Sequence, residues 1–159
     1  MSVKVPVTWK AEASGILSGV AIHDGSLIDF HSSATGQSFL IRNALAQIVA
    51  IELTGVTEFN VLRFWQGAIC SEVFVWKLAA VPTHLWAVAD GAWTTLFAGR
   101  ASLADAKVAA ARLVQTKPEA CLFQLLCSYG GAFAAICDDV AIYRHEPRHE
   151  PDKFASAKR

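Results

Sequence analysis

Apolar residues occupy both alternating faces of the run Ala68 to Ala80, AICSEVFVWKLAA. In an extended chain Phe74, Trp76 and Leu78 fall on one side, and Val73 and Val75 on the other. A strand that is apolar on both sides must be covered on both sides, which places it in the middle of a sheet. The segments around it therefore have to supply neighbouring strands and a covering layer.

Two Asp-Gly pairs, Asp24-Gly25 and Asp90-Gly91, sit between apolar segments. Asp-Gly accepts the positive φ angles of a type I′ turn and is the strongest short-range hairpin signal. A hairpin at the first pairs Ile22 with Leu27 and Ala21 with Ile28. At the second, Val88 pairs with Trp93 and Trp86 with Thr95 on one face, and Leu85 with Leu96 and Ala87 with Thr94 on the other. Val3 to Trp9, around Pro6, reads as an edge strand, where the missing N–H of proline is tolerated. Glu58 to Gln66 reads as a further strand. Ala132 to Arg144 reads as a hairpin around Asp138-Asp139 or as one bent strand.

Helical spacing appears in three places. Ser38 caps a predicted helix in which Leu40, Ala44, Leu45, Ile48, Val49 and Leu53 share a face, and Gly55 stops it. Ser102-Leu-Ala-Asp105 matches a capping box and opens an alanine-rich helix through Gln115. Its stripe is Leu103, Ala106, Ala110, Leu113 and Val114. Lys117-Pro118-Glu119 opens a third helix over ACLFQLLCSY, ended by Gly130-Gly131. The pattern predicts an α+β fold: a mainly antiparallel sheet of about five to seven strands built from β-hairpins, with about three helices packed on one face. Residues 1–144 form one domain in this reading, and 145–159 a polar C-terminal tail.

At 159 residues, with 53% hydrophobic and 18% charged, the chain has the makings of one ordered domain. So much apolar surface on a small body predicts that some of it meets a partner, a second copy or a ligand. Lys plus Arg and Asp plus Glu are 14 each, so no basic field attracts phosphate backbones, and nucleic acid is not an expected partner. The four cysteines, Cys70, Cys121, Cys127 and Cys137, form no CxxC motif. They read as buried reduced thiols of a cytoplasmic protein. The segment MSVKVPVTWKAEAS has no apolar core of a secretory signal. Ala120 to Cys137 carries no charge, but Gln124, Ser128 and the Gly130-Gly131 pair interrupt it, so a membrane span is not expected.

The polar constellations each have a structural explanation. Asp24 beside His23 is accounted for by the turn. His31-Ser32-Ser33 before Gly36 resembles an anion-binding helix entrance, yet Ser and Thr are favoured there as caps. Two acids beside Cys137 disfavour a reactive thiolate. Pro147 between His145 and His149 denies them the helix that a zinc pair at that spacing needs. No catalytic residue, metal ligand or cofactor is assigned. The tryptophans remain. Trp65, Trp76, Trp86 and Trp93 all fall in predicted strands, where aromatics are core or a binding face.

The resulting expectation is a non-enzymatic protein-interaction module: an accessory, adaptor or chaperone-like subunit that self-associates. Its partner-binding face is aromatic and built on Trp76, Trp86, Val88 and Trp93. The alternative is a small apolar-ligand binding protein, or a small enzyme, with its site between sheet and helices near His31, Ser33 and His84.

Overall fold

The computed structural model describes residues 2–63, 65–86 and 91–147. In chain order it contains β1 (Ser2–Pro6), β2 (Lys10–Ala11), β3 (Leu17–Ser18), β4 (Gly25–Ser32), β5 (Gly36–Arg42), β6 (Ile48–Thr54), β7 (Glu58–Leu62) and β8 (Ile69–Lys77). There follow α1 (Ala92–Phe97), α2 (Leu103–Thr116), β9 (Cys121–Cys127), β10 (Ala132–Cys137) and β11 (Asp139–Pro147). Short 3-10 turns occupy Leu78–Ala80, Thr83–Trp86 and Ser128–Gly130.

Nine strands form one antiparallel sheet in the order β1-β11-β6-β5-β4-β8-β9-β10-β7. The join between β4 and β8 is narrow: only Gly25 with Cys70 and Ser26 with Ile69 are in register. The sheet folds over at this join. Phe39 of β5 stands 4.8 Å from Phe133 of β10 and 5.7 Å from Phe123 of β9, centroid to centroid, so the two halves face each other across a core. Leu27, Ile41, Ile51, Leu53, Val73, Val75 and Leu125 complete that core. The outer face of β8, β9 and β10 carries a second core, in which Trp76, Leu122, Ala134 and Ile136 meet Ala92, Trp93 and Leu96 of α1 and Ala110 of α2. The molecule thus has three layers: half-sheet, half-sheet, helices.

The central strand behaves as its sequence requires. On β8 Val73 and Val75 enter the first core, and Trp76 and the following Leu78 the second. Pro6 ends the edge strand β1. The helix from Leu103 is present, with the Ser102 hydroxyl accepting from the Asp105 N–H at 3.2 Å as a capping box demands.

The α+β class therefore holds, but among the described residues the sheet has nine strands rather than five to seven, and the α-helices number two rather than three. Two predicted helices are strands. The segment from Ser38 to Gly55 forms the hairpin β5–β6. Its apolar residues fit a period of two as well: Phe39 and Ile41, then Val49, Ile51 and Leu53, are buried. Asn43 decides between the periods, since its Oδ1 accepts from the amides of Leu45 at 3.0 Å and Gln47 at 2.9 Å. Ala46 takes a left-handed φ of 59° in the same turn. A side chain that bonds its own neighbouring backbone competes with helix. The segment expected as a third helix contains β9, which lies between β8 and β10 with both faces covered. Burial on both sides by neighbours overrides the helix propensity of its leucines.

Among the described residues the second Asp-Gly pair is flanked by a 3-10 turn at Thr83–Trp86 and by α1, not by the two strands of a hairpin. Gly91 caps α1, and Ala92, Trp93, Thr95 and Leu96 are buried at helical spacing. The pairings of Leu85 with Leu96 and of Trp86 with Thr95 are therefore absent. Val88, Ala87 and Asp90 lie outside the described residues. At the first pair the expected Asp24-Gly25 turn is displaced by one residue: the Gly25 N–H donates to Ile22 O at 2.9 Å, so His23 and Asp24 are the central residues, with Asp24 at φ 60°, and Gly25 already opens β4. No strand precedes it at Ile22, however, and β4 pairs with β5 and β8 instead. Asp138 separates β10 from β11, which have different neighbours, as in the bent-strand reading. The uncharged run from Ala120 to Cys137 is β9, a 3-10 turn and β10 inside the sheet. No helix among the described residues is long and apolar enough to cross a membrane.

The upper edge of β8, beyond its join to β4, is covered by the segment around Gly15. Its carbonyl accepts from the Val75 N–H at 2.8 Å, and the indole N–H of Trp76 donates to Ser14 O at 3.0 Å. Gly15 has φ +87°, and a Cβ there falls 2.1 Å from the Trp76 ring. Gly99 has φ +70° with open space around it. Gly99→Ala should cost about 1–2 kcal/mol from the left-handed backbone alone. Gly15→Ala adds a collision and should cost clearly more. Chemical denaturation of both variants measures the difference, and equal losses would show that the indole does not constrain this segment.

Candidate functional site

The helical layer is fixed to the sheet by a polar seam. The Asn60 amide of β7 donates to Thr95 O at 2.9 Å and Ala98 O at 3.0 Å, satisfying carbonyls at the end of α1. Gln124 Nε2 of β9 donates to Thr95 Oγ1 at 3.4 Å, and both residues are buried. Arg100, just after α1, donates to Phe59 O at 3.2 Å and pairs with Glu58 at 3.3 Å, which satisfies a backbone group of the edge strand β7.

Above this seam three rings stack. Trp86 lies 5.8 Å from Trp93 and 6.1 Å from Phe97, and Trp93 lies 6.2 Å from Phe97, with ring planes within 9–19° of parallel. Trp93 is only 3% exposed and belongs to the second core. Trp86 and Phe97 are half-buried and line a groove of about 330 Å³ with Leu103 and Ala106 of α2. On its other side Phe97 lines a second groove of about 480 Å³ with Val108, Arg112 and Leu113. Leu103 is 59% exposed and Val108 71%. The result is an open apolar surface centred on Phe97, with Glu58, Asp105 and Arg112 at its rim.

The residues singled out from the sequence divide accordingly. Trp76 is 6% exposed, stacks on Phe74 at 5.2 Å and is sealed beneath Ser14 and Gly15. Trp76 and Trp93 are thus inside the molecule, Trp86 is at the groove, and Val88 lies outside the described residues. His31 and His84 are both exposed and line different clefts. His31 stands with Ser33, Thr35 and Glu52 in a shallow one of about 200 Å³. His84 stands with Ser14, Glu72, Phe74 and Gln124 in one of about 290 Å³ between sheet and helical layer. His23 and Asp24 meet at 3.0 Å on the surface, with both side chains about 70% exposed. Among the described residues no group of three or more His, Cys, Asp or Glu converges as a metal site.

Burial raises the proton affinity of the Cys121 and Cys137 thiols, and the neighbouring Cys127 thiol together with burial raises that of Cys70. The sequence reading missed Phe97, Leu103 and Val108 as surface residues. The signal was available for Val108, which lies off the predicted stripe of its helix.

No family model matches the chain, and neither a curated protein nor a solved structure matches it.

Removing the Asn60 amide leaves two carbonyls of α1 without their donor. Asn60→Ala should cost about 1–3 kcal/mol. Hydrogen exchange should speed up first in α1, and uniform loss of protection across the sheet would contradict this role.

Proposed function

We propose that the protein is a non-enzymatic interaction module that self-associates through the apolar groove surface between α1 and α2. The observation that carries the reading is the ring stack of Trp86, Trp93 and Phe97, which presents two half-buried rings beside the exposed Leu103 and Val108. Exposed apolar surface grouped around a groove and rimmed by charge is the common signature of a protein-binding patch. The helix spacing of Ala104, Val108 and Ala111, all exposed on α2, suits packing against another helix. An adaptor or accessory subunit uses a surface of this type, and the cytoplasm is the compartment in which we place it, on the four free thiols.

Light-scattering mass tests the reading. The wild-type chain should give at least a dimer. Leu103→Glu with Val108→Glu, both exposed positions, should give the monomer mass with an unchanged circular dichroism spectrum. A wild-type monomer at every concentration would remove self-association.

One observation favours a second reading, a small-ligand site. Glu72, Phe74 and Trp76 share the outer face of β8, and the cleft above them gathers His84, Ser14 and Gln124. Native mass spectrometry of the purified chain should then show a retained small molecule that Phe74→Ala releases. An identical bare mass for both proteins would leave the cleft as surface relief.

A further inference from the structure

The register of the sheet sets the four cysteines in two pairs across neighbouring strands. Cys70 of β8 faces Cys127 of β9, and Cys121 of β9 faces Cys137 of β10. All four are free, buried and part of the core between the half-sheets.

The two pairs are not equivalent. Opposed residues in an antiparallel ladder alternate between pairs that exchange backbone hydrogen bonds and pairs that do not, and the second kind brings side chains closer. The Cys127 N–H donates to Gly131 O at 2.7 Å, on the β10 side. Cys70 O accepts from the Asp24 N–H at 2.9 Å, on the β4 side. Each residue turns its backbone away from the other, so Cys70 and Cys127 occupy a non-hydrogen-bonded position. Cα atoms at such a position are about 4.5 Å apart. Disulfides span Cα separations of roughly 4.4–6.8 Å and want Cβ atoms close together. The bond from Cys127 to Gly131 also fixes the alternation along β9 and β10, two residues at a time. Cys121 and Cys137 therefore fall at a hydrogen-bonded position, where side chains stand farther apart.

We propose that Cys70 and Cys127, thiols in a reducing cytoplasm, close as a disulfide that staples β8 to β9 when the chain meets an oxidant, while Cys121 and Cys137 remain thiols in both conditions. The effect of each of these two thiols on the proton affinity of the other agrees with their proximity. The oxidant is a low-molecular-weight disulfide such as oxidised glutathione. The Cys127 thiolate attacks one of its sulfurs, forming a mixed disulfide and releasing one glutathione thiolate, which takes up a proton. The Cys70 thiolate then attacks Cys127 Sγ and releases the second glutathione. The protein loses two electrons and two protons, and glutathione disulfide gains both to become two thiols. Burial restricts the exchange to the folding chain or to local opening of the sheet. In a reducing compartment the pair stays as thiols, and in an oxidising one it closes. The loop it closes carries both helices of the outer layer.

The test refolds the full chain in reduced or in oxidised glutathione, alkylates free thiols under denaturing conditions and reads intact mass and peptide maps. The reduced sample should take up four alkyl groups and the oxidised sample two, with the Cys70 and Cys127 peptides linked. The oxidised chain should need more denaturant to unfold. Cys121→Ser with Cys137→Ser should keep the bond, and Cys70→Ser should abolish it. Four alkylated thiols after oxidation, stable glutathione adducts, or a bond between any other pair would each overturn the proposal.

Discussion

Burial of β8, β9 and β10 on both faces is the constraint on which the rest depends. Phe123 and Leu125 point into one core and Leu122 into another, all fully buried. Water has to be excluded from both sides of the same strands. The N-terminal half-sheet achieves this on one side by folding over at the narrow β4–β8 join, which sets Phe39 against Phe133. The helices achieve it on the other. A strand layer of this kind cannot exist as a free hairpin, because either exposed face would cost on the order of 2 kcal/mol or more per large side chain. The three layers therefore stand or fall together.

The helical layer is tied down by few groups. One face of α1 is buried, but its position is set by Asn60 and Gln124 reaching out of the sheet to Thr95 and the end of the helix. Directed polar bonds at a buried seam fix orientation in a way that apolar contact does not. With α1 held there, Trp93 points inward and Trp86 and Phe97 are left at the surface. The groove follows from how the inner core is satisfied.

What was legible in the sequence was whatever depends on neighbours along the chain. The two-sided burial of β8, the Ser102 cap and the proline in β1 follow from local chemistry. The two segments that turned from helix to strand failed for one physical reason. Leucine and alanine suit a helix, and Leu40, Leu53, Leu122 and Leu125 lie in strands only because partners far along the sequence cover them. The Asn43 turn was readable, since asparagine bonding its own backbone is a local event. The aromatic face was legible as a quantity and not as a place. Trp76, Trp86 and Trp93 meet at the junction of sheet and helices, Trp93 reaching it from α1, while Trp65 stands apart beside β4. The pairing of the cysteines was hidden entirely, because it depends on the register of three strands.

The strand order also dictates when the sheet can be finished. Among the described residues β1 has β11 as its one strand partner, from Ser2 against Pro147 to Pro6 against Tyr143. The first strand of the described chain thus waits for the last. During synthesis it must remain unpaired while every other strand is made, and its docking closes the longest loop in the molecule. Contacts of such wide sequence separation slow folding, because most of the chain has to be ordered before they form. The same geometry brings the two ends of the described chain side by side on one edge. A continuous chain could be opened elsewhere, at an exposed turn such as that around Leu45, and rejoined there with the neighbours of every strand unchanged.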